Sequence, residues 1–286
     1  MGRELEGELP AVRALFDRAG EILGFDLRRV CFEGPAEALE ATDVSQPAIF
    51  TASLAALESL KATHPEVVAN CAGAAGLSLG EYTALVFAGA MDFESGLKVV
   101  RLRGQAMQEA ALATPSGMVS ILGLDPAAVD EVCERVARYG RLWKANLLGP
   151  GNVVVSGEAS ALEHVCPIAT ELGAMKVVPL AVAGAFHSDL MKPADSRLAG
   201  VLAETTLHAL RIPVYSNVDA RARHEPEDLK DSLVRQVLSG VRWEESMRAM
   251  LADGFDTFYE VGPGRVLTGL LKRIDRKTPC VAIPAR

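Results

Sequence analysis

Ala75-Gly76-Leu77-Ser78-Leu79-Gly80-Glu81-Tyr82 decides the fold. It contains Gly76-x-Ser78-x-Gly80, the pattern of a nucleophile elbow, in which a serine sits on a sharp turn between a strand and a helix. The flanks suit that setting. Val67 to Ala75 is a short run of apolar and small residues fit for a buried strand, and Glu81 to Ala88 reads as a buried helix. The glycines have a physical reason, since a strained turn packed on neighbouring backbone has no room for Cβ atoms. A serine at the first turn of a helix also has backbone N–H groups and the positive end of the helix dipole beside its oxygen. The competing reading is an ordinary Gly-rich turn between strand and helix.

Working outward, Pro10 to Leu23 is an amphipathic helix with Val12, Leu15, Phe16, Ala19, Ile22 and Leu23 on one stripe. Gln46-Pro47 is expected to open a helix over Ala48 to Ala62. Phe93 to Ala113 forms a long helix carrying Arg101 and Arg103. The character changes near Pro115. Strands over 117–124, 142–147, 153–156 and 174–182, with helices over 126–139 and 159–172, give the order β-α-β-β-α-β of a ferredoxin-like split unit. Beyond it, helices over 188–205, 228–238, 244–252 and 266–274 alternate with short strands at 213–216 and 257–261. The expected fold class is therefore α/β. Residues 1–114 and 184–286 form a large domain with a mainly parallel sheet covered by helices on both faces, and residues 115–183 form a ferredoxin-like insert.

Composition narrows the function. Apolar residues make up 49% and charged residues 23% of the 286, an ordinary balance for a globular protein. A net charge of −8 argues against a nucleic-acid surface. No apolar run approaches the ~20 residues that span a bilayer, and no signal-peptide pattern opens the chain. The five cysteines lack CxxC spacing and are expected to be thiols in a reducing cytoplasm, with no metal site.

A serine nucleophile needs a base, and histidine is the usual one. His64, His164, His208 and His224 lie in polar surroundings and read as surface residues. His187 lies in the small-residue turn Ala183-Gly184-Ala185-Phe186-His187-Ser188 and is the candidate base, against the alternative of a buried structural histidine. α/β-hydrolases run in the order serine, acid, histidine, and no Asp or Glu stands out as a partner for His187.

The runs GLSLGEYTALVFAGAM, VVRLRGQAMQEA, GPGNVVVSG, GAFHSDLMKPA, VYSNVDA and YEVGPGRVLTGLLKRI resemble the malonyl-CoA:acyl-carrier-protein transacylases, the acyltransferases of fatty-acid and polyketide synthesis. The resemblance covers nearly the whole chain. It implies an α/β-hydrolase-like domain with a ferredoxin-like insert. The implied reaction is ping-pong malonyl transfer from malonyl-CoA to an acyl carrier protein, in the cytoplasm, without a cofactor and by a monomer.

By motif, the resemblance makes Ser78 the nucleophile and His187 its base, and makes the Gln236 backbone carbonyl the group that orients the histidine in place of an acid. The Leu79 N–H becomes an oxyanion donor and Arg103 the partner of the malonyl carboxylate. Phe186, Asn146, Asn217 and Met107 join Arg103 as substrate-binding positions. Arg103 otherwise reads as a solvated helix charge, which is the reading given to Arg101. Leu77 stands where the family usually has histidine. Family members also begin with a strand and a Gly-Gln-Gly-Ser-Gln turn that supplies a second oxyanion N–H. Met1-Gly2-Arg3-Glu4-Leu5 instead resembles the family's first helix, so the first core strand and that donor are expected to be missing from these residues. Arg265, Lys272, Arg273, Arg276 and Lys277 form a basic cluster that reads as solvated charge or as a dock for CoA phosphates or an acidic carrier. Two rival functions stand beside transfer: a serine hydrolase of small esters or thioesters, and an inactive partner subunit of a synthase.

Overall fold

A computed structural model describes residues 1–286. The chain opens with helices α1 (Arg3–Glu8), α2 (Pro10–Leu23), α3 (Leu27–Glu33), α4 (Thr42–Thr63) and α5 (Pro65–Ala69). Strand β1 (Ala74–Ala75) runs into the elbow, followed by α6 (Gly80–Ala88) and α7 (Phe93–Ala113). Next come β2 (Ser116–Leu122), α8 (Pro126–Val136), β3 (Leu142–Gly149), β4 (Asn152–Glu158), α9 (Ala159–Leu162), α10 (Val165–Glu171) and β5 (Lys176–Pro179). The remainder is α11 (Lys192–Glu204), β6 (Val214–Tyr215), β7 (Ala222–Arg223), α12 (Glu227–Leu238), α13 (Trp243–Ala252), β8 (Phe258–Gly262), α14 (Val266–Ile274) and β9 (Cys280–Pro284).

Strands β2 to β5 make one antiparallel sheet in the order β3-β4-β2-β5, the order of the split unit. Val119, Ile121, Val153 and Val155 turn one face of this sheet onto Val129, Val132, Val165 and Ile168 of its helices. Met118, Ala145 and Val154 on the other face pack against Phe186, the residue before His187. The main core lies among α2, α4, α6, α7, α11 and α12, with Phe16, Phe50, Leu85, Leu97 and Leu198 fully buried.

The parallel pairing lies in two places. β1 runs parallel to β6, which pairs antiparallel with β7, and β8 runs parallel to β9. β1 and β8 each end their sheet, and a cavity of about 850 Å³ lined by Ala74, Ala75, Phe258 and Val261 lies between them. The cavity reaches Gly76 and Gly80 but is not lined by Ser78, His187 or Arg103.

Three expectations need correction, each at a proline, and two strands were not expected. The strand expected over Val67 to Ala75 is only Ala74–Ala75, because Pro65 at a helix N-terminus starts α5 across its first half. Helix α4 begins at Thr42, so Pro47 lies inside it at the cost of one backbone bond. The single helix expected over 159–172 breaks at Glu163 and His164. Pro167 cannot follow an unbroken helix without clashing with the carbonyl four residues earlier, and the restart at Val165 puts it in a first turn. Strands β7 and β9 had no counterpart in the sequence reading; β9 is recognisable only by its register with β8, from Phe258 opposite Cys280 to Gly262 opposite Pro284.

Candidate active site

The elbow is strained. Ser78 has φ of 50°, in the left-handed region that L side chains avoid. Gly76 makes the turn sterically feasible: a Cβ there would lie 2.0 Å from the Gly80 carbonyl atoms and 2.5 Å from Glu81 N. The turn is also tied from below. Asn217, fully buried in the loop after β6, accepts a hydrogen bond from Ser78 N at 2.6 Å and donates one to the Gly76 carbonyl at 2.8 Å. Leu79 N–H has no backbone acceptor and stands at the N-terminal end of α6, where the helix dipole is positive.

Ser78 Oγ lies 2.8 Å from His187 Nε2, across 109 residues of chain. His187 Nδ1 lies 2.8 Å from the Gln236 carbonyl oxygen. That oxygen can only accept, so Nδ1 carries the proton and the Nε2 lone pair faces the serine. The carbonyl is available for a structural reason: Gln236 is in the last turn of α12, where carbonyls lack intrahelical partners and the dipole is negative. Burial, followed by the charge of Arg103, pushes the His187 pKa down from 6.5 to about 4. The imidazole is therefore neutral and able to take a proton at neutral pH.

Arg103 is the second group at Ser78 Oγ, with Nη2 at 3.1 Å. It is 1% exposed in mid-α7, one of the largest fully buried side chains in the protein. Its Nη1 donates to Gln46 Oε1 at 2.6 Å and its Nη2 to Gln236 Oε1 at 3.0 Å. The closeness of α7 to α4 depends on Gly104, where a Cβ would meet the Thr42 carbonyl at 2.8 Å. Nε has no partner, and every acceptor at the guanidinium is a neutral oxygen. Such a group has room in its chemistry for an anion.

Arg101 differs from its expected solvated role, since its Nη1 donates to the Ile22 carbonyl at 2.9 Å and so satisfies an end carbonyl of α2.

Ser78, Leu79, His187, Gln236 and Arg103 thus converge. Met107 is buried one turn from Arg103, and its Sδ accepts from Gln46 Nε2 at 3.5 Å, so it supports Gln46. Asn217 has both ends of its amide bonded beneath the elbow, so in this structure it supports the turn. Phe186 is half-buried against the β2–β5 sheet, with its carbonyl accepting from Ser156 Oγ. Asn146 lies in β3 with a parallel bridge to Val241, and no hydrogen bond ties it to Ser78 or His187.

Two residues at the site escaped the sequence reading. Gln46 is a buried polar residue on an apolar helix, and Glu81 is 1% exposed at the start of the otherwise apolar α6. A charged or amide side chain interrupting a buried stripe was the available signal in both. Burial raises the Glu81 pKa from 4.5 to about 7. The basic cluster from Arg265 to Lys277 is exposed along α14 and the segment after it.

The family model described as acyl transferase domain matches residues 1–282. The chain is 43% identical to the malonyl CoA-acyl carrier protein transacylase of Bacillus subtilis, over 99% of this chain and 88% of that protein. Its structure is similar to that of the acyl-carrier-protein-S-malonyltransferase of Bartonella henselae, with a TM-score of 0.95 at 36% identity, covering 99% of this chain and 90% of that one. It is also similar to a malonyl-transacylase in complex with its type II PKS acyl-carrier protein, with a TM-score of 0.90 at 38% identity, covering 97% and 89%.

Proposed function

The chain belongs to the acyl transferase family, and on that premise we propose that it moves a malonyl group from malonyl-CoA to the phosphopantetheine thiol of an acyl carrier protein, through an ester on Ser78. The observation that carries this reading is Arg103, a buried guanidinium without a carboxylate partner, 3.1 Å from the nucleophilic oxygen. Malonyl differs from acetyl by one carboxylate, and a guanidinium binds that group through two parallel hydrogen bonds.

In the first half-reaction His187 Nε2 takes the Ser78 proton as Oγ attacks the thioester carbonyl. The Leu79 N–H faces the developing oxyanion. When the C–S bond breaks, His187 returns the proton to the CoA sulfur. In the second half the carrier thiol gives its proton to His187 and attacks the malonyl ester, and Ser78 leaves with that proton. Both steps shift an acyl group between sulfur and oxygen, so no cofactor is called for. The Gln236 carbonyl holds the histidine tautomer as an acid would, but it supports the imidazolium less strongly. The exposed basic residues around α14 offer an acidic carrier a docking face. We place the reaction in the cytoplasm, where the five free thiols would stay reduced.

Intact-protein mass spectrometry tests the reading. Mixing with malonyl-CoA should give a malonyl adduct on the wild type and none on Ser78→Ala, and holo carrier protein should discharge it. An adduct on Ser78→Ala, or discharge by water as fast as by the carrier, would overturn it.

A further inference from the structure

Glu81 is a carboxylate buried behind the nucleophile, and the mechanism above does not use it. Its Oε2 accepts from Gln236 Nε2 at 2.7 Å and from the Asn217 backbone N–H at 3.2 Å. The same Gln236 Nε2 donates to the Ser78 carbonyl at 3.0 Å, while Gln236 Oε1 accepts from Arg103 at 3.0 Å. One amide therefore stands between a buried carboxylate and a buried guanidinium. A carboxylate accepting bonds takes only the NH₂ end and a guanidinium takes only the oxygen end, so the amide is held in one sense. Gln236 is also the residue whose main-chain carbonyl holds His187.

We propose that Glu81 is a positioning residue for malonyl transfer: its carboxylate locks the Gln236 side chain so that Gln236 Oε1 aims Arg103 at the acyl pocket. The proposal rests on the transfer reading above. Without the carboxylate the Gln236 NH₂ keeps only the Ser78 carbonyl at 3.0 Å and Asn217 Oδ1 at 3.5 Å, so the amide turns over more readily. Its NH₂ would then face the guanidinium, donor against donor, and Arg103 would lose one of its acceptors. The group that distinguishes malonyl from acetyl would be the first to move. Glu81 touches no reacting atom, and its effect passes through Gln236.

The test is a double-mutant cycle read on the ratio of kcat/KM for malonyl-CoA to that for acetyl-CoA. This ratio does not depend on the fraction of protein folded, so a merely structural role leaves it unchanged. Glu81→Met keeps volume and removes the acceptor, and Gln236→Met removes the amide while leaving the main-chain carbonyl. Each should lower the ratio by about tenfold, and the double variant should lower it no further, because coupled neighbours are not additive. Glu81→Gln, which keeps an acceptor oxygen, should restore most of the ratio. Factors that multiply in the double variant, or an unchanged ratio in Gln236→Met, would overturn the proposal. The second result decides the matter even if Glu81→Met fails to fold. A wild type unable to malonylate the carrier would instead sink the transfer reading, so the two failures are separable.

Discussion

Arg103 and His187 meet the same atom: Ser78 Oγ is 3.1 Å from the guanidinium and 2.8 Å from the imidazole. The specificity group and the base therefore share the nucleophile, and both are buried. A charge held this close, without a carboxylate partner, makes substrate choice and proton transfer interdependent.

The first prediction follows from that charge. With malonyl bound, Arg103→Ala leaves a buried carboxylate unpaired, and breaking a buried pair costs ~3–5 kcal/mol. That is about two to three and a half decades in kcat/KM for malonyl-CoA. Acetyl-CoA has no carboxylate to lose, so its transfer should stay equal or rise. Arg101→Ala should leave the malonyl-to-acetyl ratio unchanged and lower stability by about 1 kcal/mol through the lost bond to Ile22. Equal slowing of both substrates by Arg103→Ala would make Arg103 a structural residue.

The second concerns acidity. With His187 depressed to about 4, labelling of Ser78 by a fluorophosphonate should hold its rate well below pH 6.5 and fall only as the pH nears about 4. A half-maximum near 6.5 would mean that the histidine is hydrated in solution.

The third prediction is a stability effect with opposed signs. The unfolded chain protonates His187 near 6.5 and the folded chain near 4, so this group destabilises the fold as pH falls through that window. Glu81, raised from 4.5 to about 7, does the reverse: its folded form takes the proton first, so its penalty is present above about 7 and fades toward 4.5. The two slopes largely offset. Glu81→Gln should therefore expose a fall in Tm between pH 6.5 and 4 that is steeper than in the wild type. Parallel Tm profiles would refute the opposition.

A fourth tests the scaffold under the elbow. Asn217→Ala removes buried bonds to Ser78 N and the Gly76 carbonyl. Each orphaned group costs about 1–3 kcal/mol, and a chain of this size loses about 2–4 °C in Tm per kcal/mol. Ser78 acylation should slow as the left-handed turn relaxes. Unchanged Tm and acylation rate would show that the turn holds itself.

The fifth is steric. Gly76→Ala places a methyl 2.0 Å from Gly80 backbone, and rigid backbone cannot move aside as a side chain could. The variant should lose Ser78 labelling entirely, with a large drop in Tm. Retention of both would mean that the elbow tolerates a different geometry.

The sequence by itself determined what is encoded locally. The elbow was legible because Gly76, Ser78 and Gly80 act on one another within a single turn, and so was the order of the split unit, since each strand or helix carries its own period. Proline shifted boundaries at Pro47, Pro65 and Pro167, where a local rule competed with helix continuation. The tertiary structure decided what depends on distant partners. His187 takes its tautomer from a carbonyl 49 residues away, and Arg103 takes its aim from oxygens 57 and 133 residues away. Gln46 and Glu81 look like ordinary polar interruptions until folding places them beside a guanidinium and an amide. Arg101 and Arg103 are two residues apart on one helix and point to different sides of it. One closes the end of α2 and the other enters the site, because burial is a property of what packs against a helix face.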